Sequence, residues 1–495
     1  MRALLPAMPL LIPFATAILS LFFSRSAAAQ RRVGILGASL LLAAAFALLW
    51  TVQREGILVL HAGNWPAPFG IALVIDLLSA VMVVMTALMG LGVLVFSFGS
   101  LDAERVRFGF FPLFQFLLMG VCGAFTTGDL FNLYVWYEVM LMSSFALISL
   151  GGTPLQLEGG VKYVVMNLVS SSMFLTALGI LYGLTGTLNM ADLARFLDNG
   201  LPVGLSTTLA MLFLIAFGIK AAAFPFFFWL PASYATPPVA VTAIFSALLT
   251  KAGVYSLLRV FTLLFTQQVE YTHQLLLVIA GFTMVTGVLG AVAQNEVRRL
   301  LSFHIVSQIG YLLMGLGLFT ELAIAGTVFF MVHVILAKSA LFLASGIMGR
   351  MQGSYDLQEL GGLARLSPAL AGFFLLAAFA LAGLPPLSGF FAKFALVQAG
   401  LAGGRYLITA VALFVSILTL FSMVKIWAQA FWKAAPRASA PSKVSRLLWV
   451  PFGGLALLTL AMGLCSEPLL RLSLATARQL LDKEQYIRVV LGANL

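Results

Sequence analysis

The sequence predicts an all-α polytopic membrane protein of about fourteen transmembrane helices, and three observations carry that reading. Hydrophobic residues fill 61% of the 495 positions and charged residues only 9%, a balance too apolar for a soluble globular domain. Apolar runs of roughly 20 residues, the length that crosses a bilayer, recur along the whole chain. The Lys and Arg residues between them favour one side of the alternation that the runs create.

The runs lie near 4–22, 33–51, 72–97, 110–127, 130–150, 162–184, 206–230, 238–263, 273–292, 300–318, 322–349, 368–398, 406–432 and 447–466. The first imitates a signal peptide, with Arg2 before it and Ala27-Ala28-Ala29-Gln30 after it. Its length of about 20 residues and the trailing Arg25, Arg31 and Arg32 favour a retained helix with the N-terminus outside. Loops after odd-numbered runs hold 14 cations, from Arg25 through Arg105, Arg107, Lys162, Arg298, Arg299, Arg350, Arg365, Lys433, Arg437 and Lys443 to Arg446, against 5 on the other side: Arg2, Arg54, Arg195, Arg259 and Arg405. Both chain ends then face outward, and no polar segment is long enough for a soluble domain. The chain reads as one membrane domain.

The net charge of +11 is scattered over short loops and membrane interiors, so no basic stripe exists to track a nucleic-acid backbone. Cys122 and Cys465 are too few for a disulfide framework, a Cys-based zinc site or an iron–sulfur centre. No cofactor is expected, and any redox chemistry would belong to a partner. With no phosphate loop, metal-ligand cluster or nucleophile–base arrangement, the chain does not read as an enzyme.

Five lysines, Lys220, Lys251, Lys338, Lys393 and Lys425, lie inside apolar runs. Each costs about 2.5–3.5 kcal/mol at mid-membrane unless water or a partner solvates it. Carboxylates at comparable depth are Asp76, Asp129 and Glu138, and only Glu138 sits well inside a run. Five lysines therefore cannot all be paired, and low dielectric and like charge weaken an amine's hold on its proton. That is the chemistry of a proton relay; the alternative is a lysine that bridges helices or snorkels to an interface.

Lys251 stands 14 residues beyond Pro237-Pro238, a natural helix start, and so about 21 Å along the axis. Lys220 lies beside Pro225, with Glu138 its natural acidic partner, and Lys393 follows the Pro385, Pro386 and Gly389 break. Lys338, five residues beyond His333, reads as a link, whereas Lys425 lies near its helix end, where snorkelling is easy. His304 and His333 can carry protons near neutral pH, although a lone membrane histidine is often a packing residue. Lys220 and Lys251 are 31 residues apart and Lys393 and Lys425 are 32 apart, a weak internal repeat with a proline-broken helix in each half.

These residues carry a resemblance. Lys220-Ala-Ala-Ala-Phe-Pro225-Phe-Phe-Phe-Trp229-Leu-Pro231, Ala235-Thr-Pro-Pro-Val239 and Leu249-Thr250-Lys251-Ala-Gly-Val-Tyr255 resemble the core signature of the antiporter-like subunits shared by respiratory complex I and Mrp-type cation/proton antiporters. Lys162-Tyr163 with Asn167 and Ser170 to Ser172, Gln294-Asn295-Glu296-Val-Arg-Arg-Leu-Leu-Ser302, Ser307-Gln308-Ile-Gly310-Tyr311, His333 with Lys338, and Leu384-Pro385-Pro386-Leu-Ser-Gly389-Phe-Phe-Ala-Lys393 extend it over roughly 60–430. Gly63-Asn64-Trp65-Pro66 with Asp76, and Gly128-Asp129-Leu-Phe-Asn132 leading to Glu138, look most like the D-type branch of the multisubunit Mrp Na+/H+ antiporters; Ser143 and Ser144 stand where respiratory relatives often place a proline.

The resemblance implies fourteen helices, two inverted five-helix repeats each containing a broken helix, and a central polar axis for protons. It implies divisions at 1–105, 106–265, 266–435 and 436–495, the two middle segments being the five-helix units, with Glu138 and Lys220 as the input pair, Lys251 as the central relay, His333 and Lys338 as the onward link and Lys393 as the exit lysine; His304 and Lys425 are further candidates on the residues alone. It also implies partner subunits of A, B, C, E, F and G type, H+ and Na+ as transported ions, a role in pH homeostasis and a bacterial inner membrane. It does not locate sodium; oxygen ligands near Asp76 and Asp129 are the candidates. Two other readings stay open: a redox-driven proton pump of the complex I or hydrogenase type, and a scaffold with ion-paired lysines.

Overall fold

The computed structural model describes residues 2–198, 200–435 and 444–492; Arg437 and Lys443, counted above among the loop cations, lie outside them. Long helices follow the apolar runs: α1 Met8–Phe22, α2 Ala27–Glu55, α3 Leu77–Ser100, α4 Phe110–Thr126, α5 Leu130–Ile148, α6 Pro154–Thr185 and α7 Val203–Ala221. After them come α8 Val239–Leu263, α9 Val269–Ala293, α10 Val297–Leu318, α11 Glu321–Gln352, α12 Pro368–Ala382, α13 Ser388–Ala402, α14 Tyr406–Ile426 and α15 Arg446–Leu464. With α12 and α13 counted as the two halves of one span, the described residues form fourteen spans. The helix α1 packs on α2 and α4 as part of the bundle.

Five spans run from α4 to α8 and five from α9 to α14. An offset of five crossings is odd, so corresponding helices traverse the membrane in opposite directions, which is the inverted repeat. Each unit contains one interrupted span. In the first, α7 ends at Ala222, whose φ of 57° is left-handed, and a short helix, Trp229–Tyr234, resumes after Pro225. In the second, the chain turns at Gly383, φ 91°, before α13 begins. Breaks at membrane depth expose backbone groups that need polar partners, tolerated only where protein surrounds them.

The central elements are α8, whose every residue is buried, and α11, buried throughout its apolar stretch. Helix α8 touches both α7 and α11, so it bridges the two units. Close approach there depends on Gly253, where an added Cβ would lie 2.6 Å from the backbone nitrogen of Ala221. Small residues at such crossings let membrane helices pack where no hydrophobic drive exists between them.

Three features depart from the sequence reading. A two-stranded antiparallel ribbon, β1 Leu58–His61 with β2 Ala72–Ile75, pairs Leu58 with Ile75 and His61 with Ala72 before α3. The tail read as merely hydrophilic forms α16 Ser466–Leu481 and α17 Lys483–Leu491. Helix α16 buries Ser473, Thr476, Ala477 and Leu480, one helical face, and α16 lies on α11. Gln479 accepts from the N–H of Leu77 at 2.7 Å, Arg478 pairs with Glu321 at 2.7 Å and Lys483 with Asp198 at 2.5 Å. The tail is thus a strap across the N-terminal ends of α3 and α11. Finally, Lys162 is not a loop residue; it sits within α6, paired with Glu158 at 2.5 Å.

Candidate functional site

Lys220 occupies the last turn of α7, where the negative helix end favours a cation. Its Nζ donates to Ser171 Oγ at 3.3 Å and lies 4.6 Å from the centre of the Tyr137 ring. Glu138, the next residue on α5, lies within electrostatic reach of Lys220. Among the described residues no ion pair joins them, and Glu138 Oε1 is buried without a hydrogen-bond partner. A cavity of about 20 Å³ lined by Tyr137, Tyr163, Asn167, Lys220 and Trp229 adjoins the amine, enough room for one water.

Lys251 is fully buried in the middle of α8, and its Nζ donates to the Ser246 carbonyl at 2.5 Å. Lys338, on α11, is equally buried and donates to the Leu301 carbonyl at 3.0 Å. It lies within electrostatic reach of both Lys251 and Lys393. His304 Nε2 bonds Ser422 Oγ at 2.6 Å, and His333 Nδ1 bonds Ser388 Oγ at 2.8 Å; the second ring nitrogen of each has no partner among the described residues. Lys393 Nζ donates to the carbonyls of Leu381 at 3.1 Å and Ala382 at 3.0 Å, both in the last turn of α12, and to Ser416 Oγ at 3.0 Å.

Unpartnered buried polar atoms are otherwise uncommon and call for water or a mobile proton. Here Glu138 Oε1, Thr250 Oγ1, His304 Nδ1, Ser307 Oγ, the Gln308 amide and His333 Nε2 are all in that state. Thr250 and Gln308 carry no charge to draw notice in the sequence; only their burial marks them.

Lys425 separates from the group. Its Nζ donates to the carbonyls of Val292 at 3.0 Å and Gln294 at 2.7 Å and to Asn295 Oδ1 at 3.0 Å, so it caps the C-terminal end of α9. Lys425→Met is expected to lower stability by about 1–2 kcal/mol, the worth of a well-placed C-terminal cation, without moving the pH profile of transport; thermal melting of the purified protein and a pH series check the two parts.

The sequence reading missed a sixth deep cation. Arg259, assigned to an outer loop, is buried in α8 and pairs with Asp76 at 2.6 Å, while Tyr255 and Tyr486 each place a ring 5.4 Å from its guanidinium. Asp76 also caps α3 through Ser79 N at 2.8 Å. A sodium ion near Asp76 would have to displace that guanidinium. Asp129 Oδ1 accepts from Asn132 N at 2.7 Å as the cap of α5. Among the described residues, no three His, Cys, Asp or Glu side chains gather where they could hold a metal.

Gly389 fixes the second helix break. An added Cβ would lie 1.9 Å from the Ala380 carbonyl oxygen and 2.8 Å from His333 Nε2. Gly389→Ala is therefore expected to push α13 off α12 and to cost at least the roughly 1–3 kcal/mol of an overpacked core, read as reduced transport and a lower melting temperature.

The family described as NADH:quinone oxidoreductase/Mrp antiporter, transmembrane, matches residues 127–422. The D component of the Na(+)/H(+) antiporter of Alkalihalophilus pseudofirmus is 46% identical over 486 residues, 98% of each chain. Among solved structures, a chain of the Mrp complex from Dietzia sp. DQ12-45-1b superposes with a TM-score of 0.91 at 32% identity, covering 99% of both chains. A chain of the membrane-bound sulfane sulfur reductase, an archaeal respiratory membrane complex, also reaches 0.91, at 26% identity and with 99% of both chains covered.

Proposed function

The chain belongs to the NADH:quinone oxidoreductase/Mrp antiporter family, and from that premise we propose that it is the proton-translocating D-type subunit of a multisubunit Na+/H+ antiporter in a bacterial inner membrane. The observation that carries the reading is the set of buried amines, imidazoles and unpartnered polar atoms on α5, α7, α8, α10, α11 and α13. Glu138 and Lys220 form the input pair, Lys251 the central relay, Lys338 with His333 and His304 the link, and Lys393 the exit group. Like charges within reach of one another cannot all stay protonated at low cost, so a proton arriving at one site favours release from its neighbour.

The working divisions are 1–105, 106–265 and 266–435 for the N-terminal helices and the two repeats, and 436–495 for the last span and strap. The chain acts as a transporter subunit and not as an enzyme, with A-, B-, C-, E-, F- and G-type subunits as its partners. With Asp76 engaged by Arg259, sodium passage is completed with those partners, and Asp129 is the remaining carboxylate candidate in this chain. The test is reconstitution in proteoliposomes with a pH-sensitive dye. The assembled complex should acidify or alkalinise the lumen on a sodium jump, and this chain alone should not. Normal exchange by the isolated chain would overturn the shared-pathway reading, and co-purification with flavin or iron–sulfur subunits would favour the redox pump, the fold being common to both.

A further inference from the structure

Lys393 differs from the other axial lysines in how many acceptors meet its nitrogen. An ammonium has three donors, and three acceptors meet it: the carbonyls of Leu381 and Ala382 and the hydroxyl of Ser416. The two carbonyls sit at the C-terminal end of α12, where unsatisfied oxygens carry partial negative charge. The Tyr311 ring closes the seat, its centre 4.9 Å from Nζ. The Tyr311 hydroxyl in turn donates to the Ala412 carbonyl at 2.5 Å and lies 3.0 Å from Ser416 Oγ.

Donor and acceptor roles fix the direction of this chain. The amine donates to Ser416, Ser416 donates to Tyr311, and Tyr311 donates to a backbone carbonyl, which cannot pass a proton on. The arrangement holds an ammonium rather than conducting from it.

The first half repeats the clasp without completing it. Tyr137 donates to the Ala252 carbonyl at 3.0 Å and lies 2.7 Å from Ser256 Oγ, the same spacing of four residues along α8 that Ala412 and Ser416 have along α14. Lys220 stands over the Tyr137 ring as Lys393 stands over Tyr311. Yet among the described residues Lys220 has one acceptor, Ser171, at 3.3 Å.

We propose that Ser416 and Tyr311 are positioning residues that hold Lys393 as its ammonium, so that Lys393 is a proton-retaining station of the axis. The inference rests on the relay reading above. The titratable groups facing Lys393 are Tyr311 and His304 from α10 and His333 and Lys338 from α11. Helix α12 has no charged residue, α15 has Arg446 only at its start, and on α14 the amine of Lys425 is committed to the end of α9.

The test uses the assembled complex in proteoliposomes and reads exchange rate against pH for Ser416→Ala, Ser416→Thr, Tyr311→Phe and Lys393→Ala. Removing an acceptor from the charged form makes proton retention fail at lower pH, so Ser416→Ala should move the alkaline limb down by about one pH unit. Tyr311→Phe, which keeps the ring and loses the hydroxyl, should move it the same way by less. Ser416→Thr keeps the hydroxyl and should restore the wild-type limb. If Ser416→Ala fails to assemble, Tyr311→Phe, on a different helix, decides. Limbs within about 0.2 unit of wild type in both Ser416→Ala and Tyr311→Phe would overturn the seat while leaving the relay intact. Normal exchange in Lys393→Ala would instead sink the relay reading on which the seat depends.

Discussion

Lys220→Ala in the assembled complex is expected to abolish Na+/H+ exchange while leaving assembly unchanged. Proton transfer through a positioned side chain contributes about 10²–10⁴-fold to rate, so the loss should exceed a factor of roughly ten even where water partly substitutes. Assembly should survive because the amine has a single weak acceptor and no ion pair within 4 Å among the described residues. Removing an incompletely solvated buried charge relieves a desolvation cost and breaks no contact ion pair, Glu138 lying within electrostatic reach of the amine without bonding it. Glu138→Gln should behave alike, since Glu138 Oε1 has no hydrogen bond to lose. The scaffold alternative makes the opposite prediction, namely loss of complex from the membrane with no transport step to lose. Quantifying co-purified subunits beside dye-based exchange separates the two, and wild-type exchange in Lys220→Ala would refute the relay.

The second large effect is structural. Arg259→Gln is expected to destabilise the protein by about 3–5 kcal/mol, the usual result of removing one partner from a buried ion pair, because Asp76 would be left charged and enclosed. Asp76 is 1% exposed and Arg259 5%. The double variant Asp76→Asn with Arg259→Gln should recover much of that loss, since no unpaired charge remains and asparagine still caps α3. Because Tyr486 lies on the Arg259 guanidinium, Arg259→Gln should also loosen the strap, seen as faster hydrogen exchange in α17 than in α3. Melting temperatures across the four-variant cycle measure the coupling. A double variant no better than the single one would place the effect elsewhere.

Much of this protein was legible in the chain. The spans were readable because bilayer thickness dictates a length and hydrocarbon dictates a composition, so α2 to α15 fall where the apolar runs lie. The breaks were readable because Pro225, Pro385 and Pro386 are incompatible with continuous helix. Lys220, Lys251, Lys338 and Lys393 stood out because a charge inside an apolar run is costly wherever it is. Arg259 escaped because a cation near a helix end looks like a loop residue until its partner, 183 positions earlier in the chain, is seen against it. The ribbon β1–β2 escaped because four-residue apolar strands beside a span have no period long enough to distinguish them.

What the sequence by itself determined is therefore the number of crossings, their interruption and the presence of excess buried cations, all consequences of transfer free energy acting residue by residue. Only the tertiary structure decided which of those cations are alike. Lys425 and Lys393 each meet two carbonyls at a helix end and one side-chain oxygen, yet Lys425 is only partly buried at the end of α9, whereas Lys393 is buried between α12 and α14 beneath the Tyr311 ring. Lys220 shares the aromatic half of that seat and lacks the rest. The differences lie in the burial and the hydrogen-bond acceptors supplied by other helices, and no property of the lysine or its sequence neighbours encodes them.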